Sequence, residues 1–123
     1  MEMKYYNRNQ AYSVAHVISH VPVILNAGDM LGVLADAGYN GCDRIMLDAT
    51  ALGRDFYDLR TGVAGDILQK ISNYRLRLAI VGDFSQFTSK NWRDFVGECN
   101  RGRMVRFASH IDEAMEFLQS GCQ

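Results

Sequence analysis

Four stretches of the chain place apolar residues at i, i+3, i+4 and i+7, the repeat of a helix with one buried face. They are Met30/Val33/Leu34/Ala37, Ala64/Ile67/Leu68/Ile71, Trp92/Phe95/Val96/Cys99 and Ile111/Ala114/Met115/Leu118. Residues that favour helix starts stand before them: Asn26 three before Asp29, Ser89, and Ser109 three before Asp112. The exits carry Asn40-Gly41, Asn73, Asn100 to Gly102, and Gly121, which suit helix ends. Between these helices lie short apolar runs: Ile45-Met46-Leu47, Leu78 to Val81, and Met104-Val105 continuing through Phe107-Ala108. Such runs, alternating with helices, predict buried parallel strands. Met3 to Tyr6 and Tyr12 to Ile18 flank the polar turn Asn7 to Gln10 and predict a hairpin, while Pro22 makes the start of Val21 to Leu25 an edge or a connector. The expected order is ββαβαβαβα: an α/β fold with one mixed, mostly parallel sheet, an N-terminal hairpin and four helices, in a single domain.

Composition narrows the class of molecule. The chain has 123 residues, 48% apolar, enough for one self-sufficient core and too apolar for a disordered tail. No apolar run reaches the roughly 18 residues of a membrane span, and Met1 to Gln10 lacks a signal-peptide core. Cys42, Cys99 and Cys122 form neither a disulfide framework nor a zinc knuckle, so reduced thiols in a cytoplasmic protein are expected. His16 and His20 are four apart in a β-like segment, a strand's length from one another, so no metal pair is expected. No cofactor motif is present either: there is no P-loop, dinucleotide fingerprint, nucleophile elbow or HExxH.

The net charge of −1 is a cancellation. Residues 70–106 hold eight basic and three acidic side chains, a local +5 against −6 elsewhere. Solvated helix ends explain such a segment, and Arg101 and Arg103 around Gly102 also suit an acidic partner or a phosphate. Near-neutral total charge and the lack of interleaved basic and aromatic residues disfavour nucleic acid.

Two places could carry function. Ligands of open α/β sheets bind outside the carboxyl ends of the parallel strands. There stand Asp48-Ala49-Thr50, Asp83-Phe84-Ser85 and Ser109-His110. Asp48, Asp83, Ser85 and His110 thus form one candidate site, with oxygen ligands suited to a hard cation, although the same residue types also cap turns. The second place is the long connection Ala49 to Leu59, which leads through Asp58 into Arg60-Thr61-Gly62-Val63-Ala64-Gly65. A helix N-terminus attracts anions, and Gly62 and Gly65 either admit a close approach or let the helix pack tightly on the sheet.

Two resemblances bear on these readings. The run Phe56 to Gly65 with Ile67 to Lys70 and Asn73-Tyr74-Arg75 is similar to a bacterial family. So is Leu78 to Ser85 with Thr88-Ser89-Lys90, Asp94-Phe95 and Asn100-Arg101-Gly102. The family is domain of unknown function 4180, which has no established activity. At fold level the chain resembles STAS domains, of the sulphate-transporter and anti-sigma-factor-antagonist type. Those carry a phosphorylatable Ser before a Gly at the start of the second helix. Thr61-Gly62-Val63 falls at that place, although Asp58 lies farther upstream than the STAS aspartate and Leu59-Arg60 replaces small hydroxyl residues.

The resemblance implies a non-enzymatic regulatory or interaction module that meets a protein partner near Asp58, Arg60, Thr61, Gly62 and Gly65, with no cofactor. The alternative is a small enzyme or ligand-binding domain at the strand ends. Self-association through a sheet edge or an apolar helix face is compatible with either.

Overall fold

The computed structural model describes residues 1–120, so the helix exit at Gly121 and the thiol of Cys122 lie outside the described residues. Its elements are β1 (Glu2–Tyr6), β2 (Val14–Ile18), α1 (Ala27–Tyr39), β3 (Arg44–Asp48), α2 (Arg54–Tyr57), α3 (Val63–Asn73), β4 (Arg77–Val81), α4 (Lys90–Arg101), β5 (Val105–Ala108) and α5 (Ile111–Gln119). One five-stranded sheet runs in the order β1-β2-β3-β4-β5. β1 is antiparallel to β2, and β2 through β5 are parallel neighbours. This is the expected α/β architecture with its hairpin.

The parallel strands step across the sheet always in the same direction, so crossovers of one hand place their helices on one face. Accordingly α1, α3 and α4 pack on Ala15, Val17, Ile45, Leu47, Leu78, Ile80, Val105 and Phe107 in the larger core. Helix α5 is the last element among the described residues and covers the opposite face, with Ala114, Phe117 and Leu118 on Val14, Met46, Ala79 and Ala108. Three strand arginines hold it there. Arg44 Nε donates to the Leu118 carbonyl at 2.5 Å, and Arg77 donates to that of Phe117 at 3.0 Å. The Arg77 and Arg106 guanidiniums lie over the Phe117 ring. Cations meet the negative end of a helix dipole, so this contact is favourable twice over. Part of the basic segment is therefore internal scaffolding. Lys90 and Arg101 pair instead with Asp94 and Glu98 along α4.

Three sequence expectations need correction. The helices number five among the described residues, because the Ala49–Leu59 connection contains α2, whose four residues are too few to show a 3.6-residue period. The second strand begins at Val14 instead of Tyr12, since Tyr12 adopts φ 63°, outside the β region. At α5 the cap position is His110 and makes no side-chain bond; the Ser109 N–H donates to Glu113 instead. Asn26 and Ser89 do cap α1 and α4, accepting from the Asp29 and Trp92 N–H groups.

Candidate functional site

The carboxyl ends of β2, β3 and β4 open into a cleft of about 550 Å³. Its polar lining is His20, Thr50, Asp48, Arg54, Asp83 and Gln86, and its apolar wall includes Leu52, Tyr57, Val81 and Phe87. That wall belongs to an aromatic cluster. Phe56 from α2, Phe84 and Phe87 from the β4–α4 loop, Trp92 and Phe95 from α4, and Phe107 from β5 make successive edge-on and tilted contacts. Tyr57 and Phe87 stack at 4.7 Å on the cleft side. Burial pushes the Tyr57 phenol up, so it stays protonated and donates to the Ala49 carbonyl. Gly82 follows β4 against the turn after β3, where an added Cβ would lie only 2.4 Å from that of Ala49. The two strand ends can be this close because that position has no side chain.

Asp48 is the anchored carboxylate of the cleft. Its Oδ1 accepts from His16 Nε2 at 2.8 Å, and its Oδ2 from the Ser19 N–H at 3.2 Å. An ionised carboxylate only accepts, so the His16 proton sits on Nε2. The histidine side chain is 3% exposed and the aspartate's is 23% exposed, so the ring is walled in behind a carboxylate that reaches solvent. The pairing follows from register: His16 lies opposite Met46, and Asp48 lies two residues further along the same face of β3. Asp83 stands across the cleft, exposed, its Oδ1 accepting from the Ser85 N–H at 2.9 Å. That backbone bond holds its carboxyl below the usual carboxylate range.

The four strand-end residues thus divide. Asp48 and Asp83 share the cleft; Ser85 turns into a neighbouring hollow with Phe84, Thr88 and Trp92, and His110 begins α5 outside the cleft lining. Arg54 and Gln86 line it without having stood out in the sequence, and His20 lines it although it was weighed only as the other half of a metal pair with His16. His16 was read there only as one half of an unsuitable metal pair. A buried histidine on the same sheet face as a strand-end aspartate was the available signal, and it became readable only with the β2–β3 register.

At the second place the hydroxyl of Thr61 accepts from the Val63 N–H and lies 2.6 Å from the Asp55 carbonyl and 2.9 Å from that of Asp58. Arg60 forks onto Asp58 with two bonds of 2.9 Å, and this pairing holds the Asp58 carboxyl below its usual range. Gly62 adopts φ 81° at the head of α3 and supplies a left-handed step. Gly65 is exposed, and a Cβ there would meet open space, so it does not serve to pack α3 tightly on the sheet. Burial pushes the Cys99 thiol up to about 11 and also raises that of Cys42, which favours the protonated form of both.

The family described as Domain of unknown function (DUF4180) matches residues 9–118. The chain belongs to this family. No curated protein matches this DUF4180 chain, and no solved structure does. The matched span holds both candidate places, the cleft and the approach to α3. Among the described residues no helix is long and apolar enough to cross a membrane.

Proposed function

We propose that the strand-end cleft binds a small polar molecule that presents a cationic or hydrogen-bond-donating group to Asp48 and Asp83. The observation carrying this reading is the anchored carboxylate: a buried histidine and a backbone N–H fix Asp48 at the wall of an open cleft. Orientation of that kind lowers the ordering cost of binding. Arg54, on the same lining, suits an anionic group at the ligand's other end. A thermal-shift screen with amino acids, polyamines, nucleotides, phosphorylated metabolites and Mg²⁺ tests it. A ligand at about 100 times its Kd adds about 2.7 kcal/mol of stability, a shift of several degrees for a domain of this size. The shift should vanish in the Asp48→Asn/Asp83→Asn double variant. A flat response to the whole panel, or an equal response in that variant, removes the reading.

A second reading, a STAS-like interaction module switched by phosphate at Thr61, is supported by the exposure of Thr61 and Arg60 at the head of α3. A phosphate there adds about −1.5 to −2 charges beside two carbonyls and Asp58, so Arg60 must turn from Asp58 to the phosphate. Peptide mass spectrometry after incubation with ATP and cell lysate should find one added phosphate on Thr61. Phosphate found only elsewhere, or none, rules out this switch.

A further inference from the structure

The two edges of the sheet are treated differently. At the β5 edge, Leu78 and Gly82 donate to the carbonyls of Met104 and Ala108, so even-numbered residues there face β4 and Phe107 turns its backbone groups outward. Asn100 of α4 meets both: its Oδ1 accepts from the Phe107 N–H at 2.8 Å, and its Nδ2 donates to the Phe107 carbonyl at 3.5 Å. A side-chain amide thus occupies the middle of this edge, where another strand would have to add.

Among the described residues no such plug stands at β1. The Arg44 N–H donates to the Ser13 carbonyl, so odd-numbered residues of β2 face β3 and even-numbered ones face β1. The β1–β2 register pairs Glu2, Lys4 and Tyr6 with Ile18, His16 and Val14. Those three use their backbone groups on β2, and Met3 and Tyr5 aim theirs away from the sheet. Glu2 and Lys4 are both exposed and share one face of the strand.

We propose that β1 is an interface to a second copy of this chain, with the two sheets joined edge to edge in antiparallel fashion about a two-fold axis at Met3. Two-fold pairing of a strand with itself puts residues of like facing opposite one another. Centred on Met3, it sets Glu2 opposite the partner's Lys4 and Lys4 opposite the partner's Glu2. The outward N–H and C=O groups of Met3 bond reciprocally to the partner's Met3. The adjacent registers, centred on Glu2 or Lys4, put like charges directly opposite and are disfavoured. Backbone direction admits a two-fold at any of these three residues, and the charge pattern selects the one at Met3. The strand is five residues long, so the buried area is small and the dimer weak, to be sought at protein concentrations of about 10–500 μM.

Sedimentation equilibrium across that range tests the interface. The wild-type chain should show a monomer–dimer equilibrium. Met3→Pro removes an N–H that points away from β2 and should abolish the dimer while the circular dichroism spectrum is kept. Lys4→Glu should weaken association about tenfold or more, and Glu2→Lys/Lys4→Glu should restore it, since the double variant exchanges the two charges. The charge variants decide the matter if Met3→Pro disturbs the monomer. A wild-type chain that stays monomeric throughout, or a dimer indifferent to the charge variants, overturns the proposal. So does Lys4→Gln tightening association, because Lys4 would then be keeping the edge single.

Discussion

Phe56→Ala should lower the stability of the chain by about 3–5 kcal/mol, the range for truncating a fully buried aromatic ring. Phe56 is 0% exposed, and its ring centroid lies 5.1 Å from that of Tyr57, 6.4 Å from Trp92 and 6.5 Å from Phe107. It therefore joins α2, α4 and β5, three elements far apart in the chain, and removing it leaves a void that all three border. Packing interiors relax only partly around such voids, so the lost dispersion contacts are not recovered. The thermal midpoint should fall by roughly 10–20 °C for a domain of this size. Tyr39, 92% exposed, provides the contrast: Tyr39→Ala should stay within about 0.5 kcal/mol. A loss below about 1 kcal/mol for Phe56→Ala in urea titration would mean that the segment carrying α2 unfolds separately from the core. In that case the cleft wall would be a loosely held lid.

The second large effect is expected at Asp48. Asp48→Ala removes the acceptor from His16 Nε2 and from the Ser19 N–H, both on buried residues, at a cost of about 2–4 kcal/mol for the two orphaned donors. Asp48→Asn keeps one acceptor oxygen for the Ser19 N–H and, once His16 shifts its proton to Nδ1 so that Nε2 accepts from the new amide, should cost less than half as much. Yet it deletes the charge on which the proposed ligand binding depends. His16→Leu should be milder than Asp48→Ala, because the freed aspartate reaches water and keeps its bond from Ser19. Denaturant unfolding and isothermal titration with whichever compound the thermal screen returns give the two readouts. Stability should rank His16→Leu and Asp48→Asn above Asp48→Ala, and affinity should fall in both Asp48 variants. Equal stability for Asp48→Asn and Asp48→Ala would show that the hydrogen bonds to His16 and Ser19 contribute nothing. Undiminished affinity in Asp48→Asn would show that the carboxylate charge is not what the ligand meets.

Helices α1, α3, α4 and α5 were readable because each buries one stripe of its own residues, and a stripe repeats locally whatever it packs against. The parallel strands were readable for a related reason, being short apolar runs covered on both faces. Helix α2 was not, since a single turn held by the burial of Phe56 has no period to display. At the cleft, Asp48 and Asp83 could be named in advance because strand ends are local features of the chain. Arg54 and Gln86 could not, as Arg54 opens the single-turn helix α2 and Gln86 lies in the β4–α4 loop, segments whose paths depend on what they pack against.

What the sequence determined by itself is the order of elements apart from α2, the buried side of each helix it predicted, the caps of α1 and α4, and membership of a family through motifs along residues 9–118. Each is set by residues within a few positions of one another. The tertiary structure decided which distant groups meet: His16 with Asp48 across 32 residues, Arg44 with the end of α5 across 74, and Asp48 with Asp83 across one cleft. These meetings depend on strand order and register, and periodicity leaves both open, because a strand's pattern specifies its buried face and not its neighbour. Asn100 shows both sides of this: its place at the end of a helix was legible, whereas its seat on the edge of β5 exists only because α4 packs against that strand.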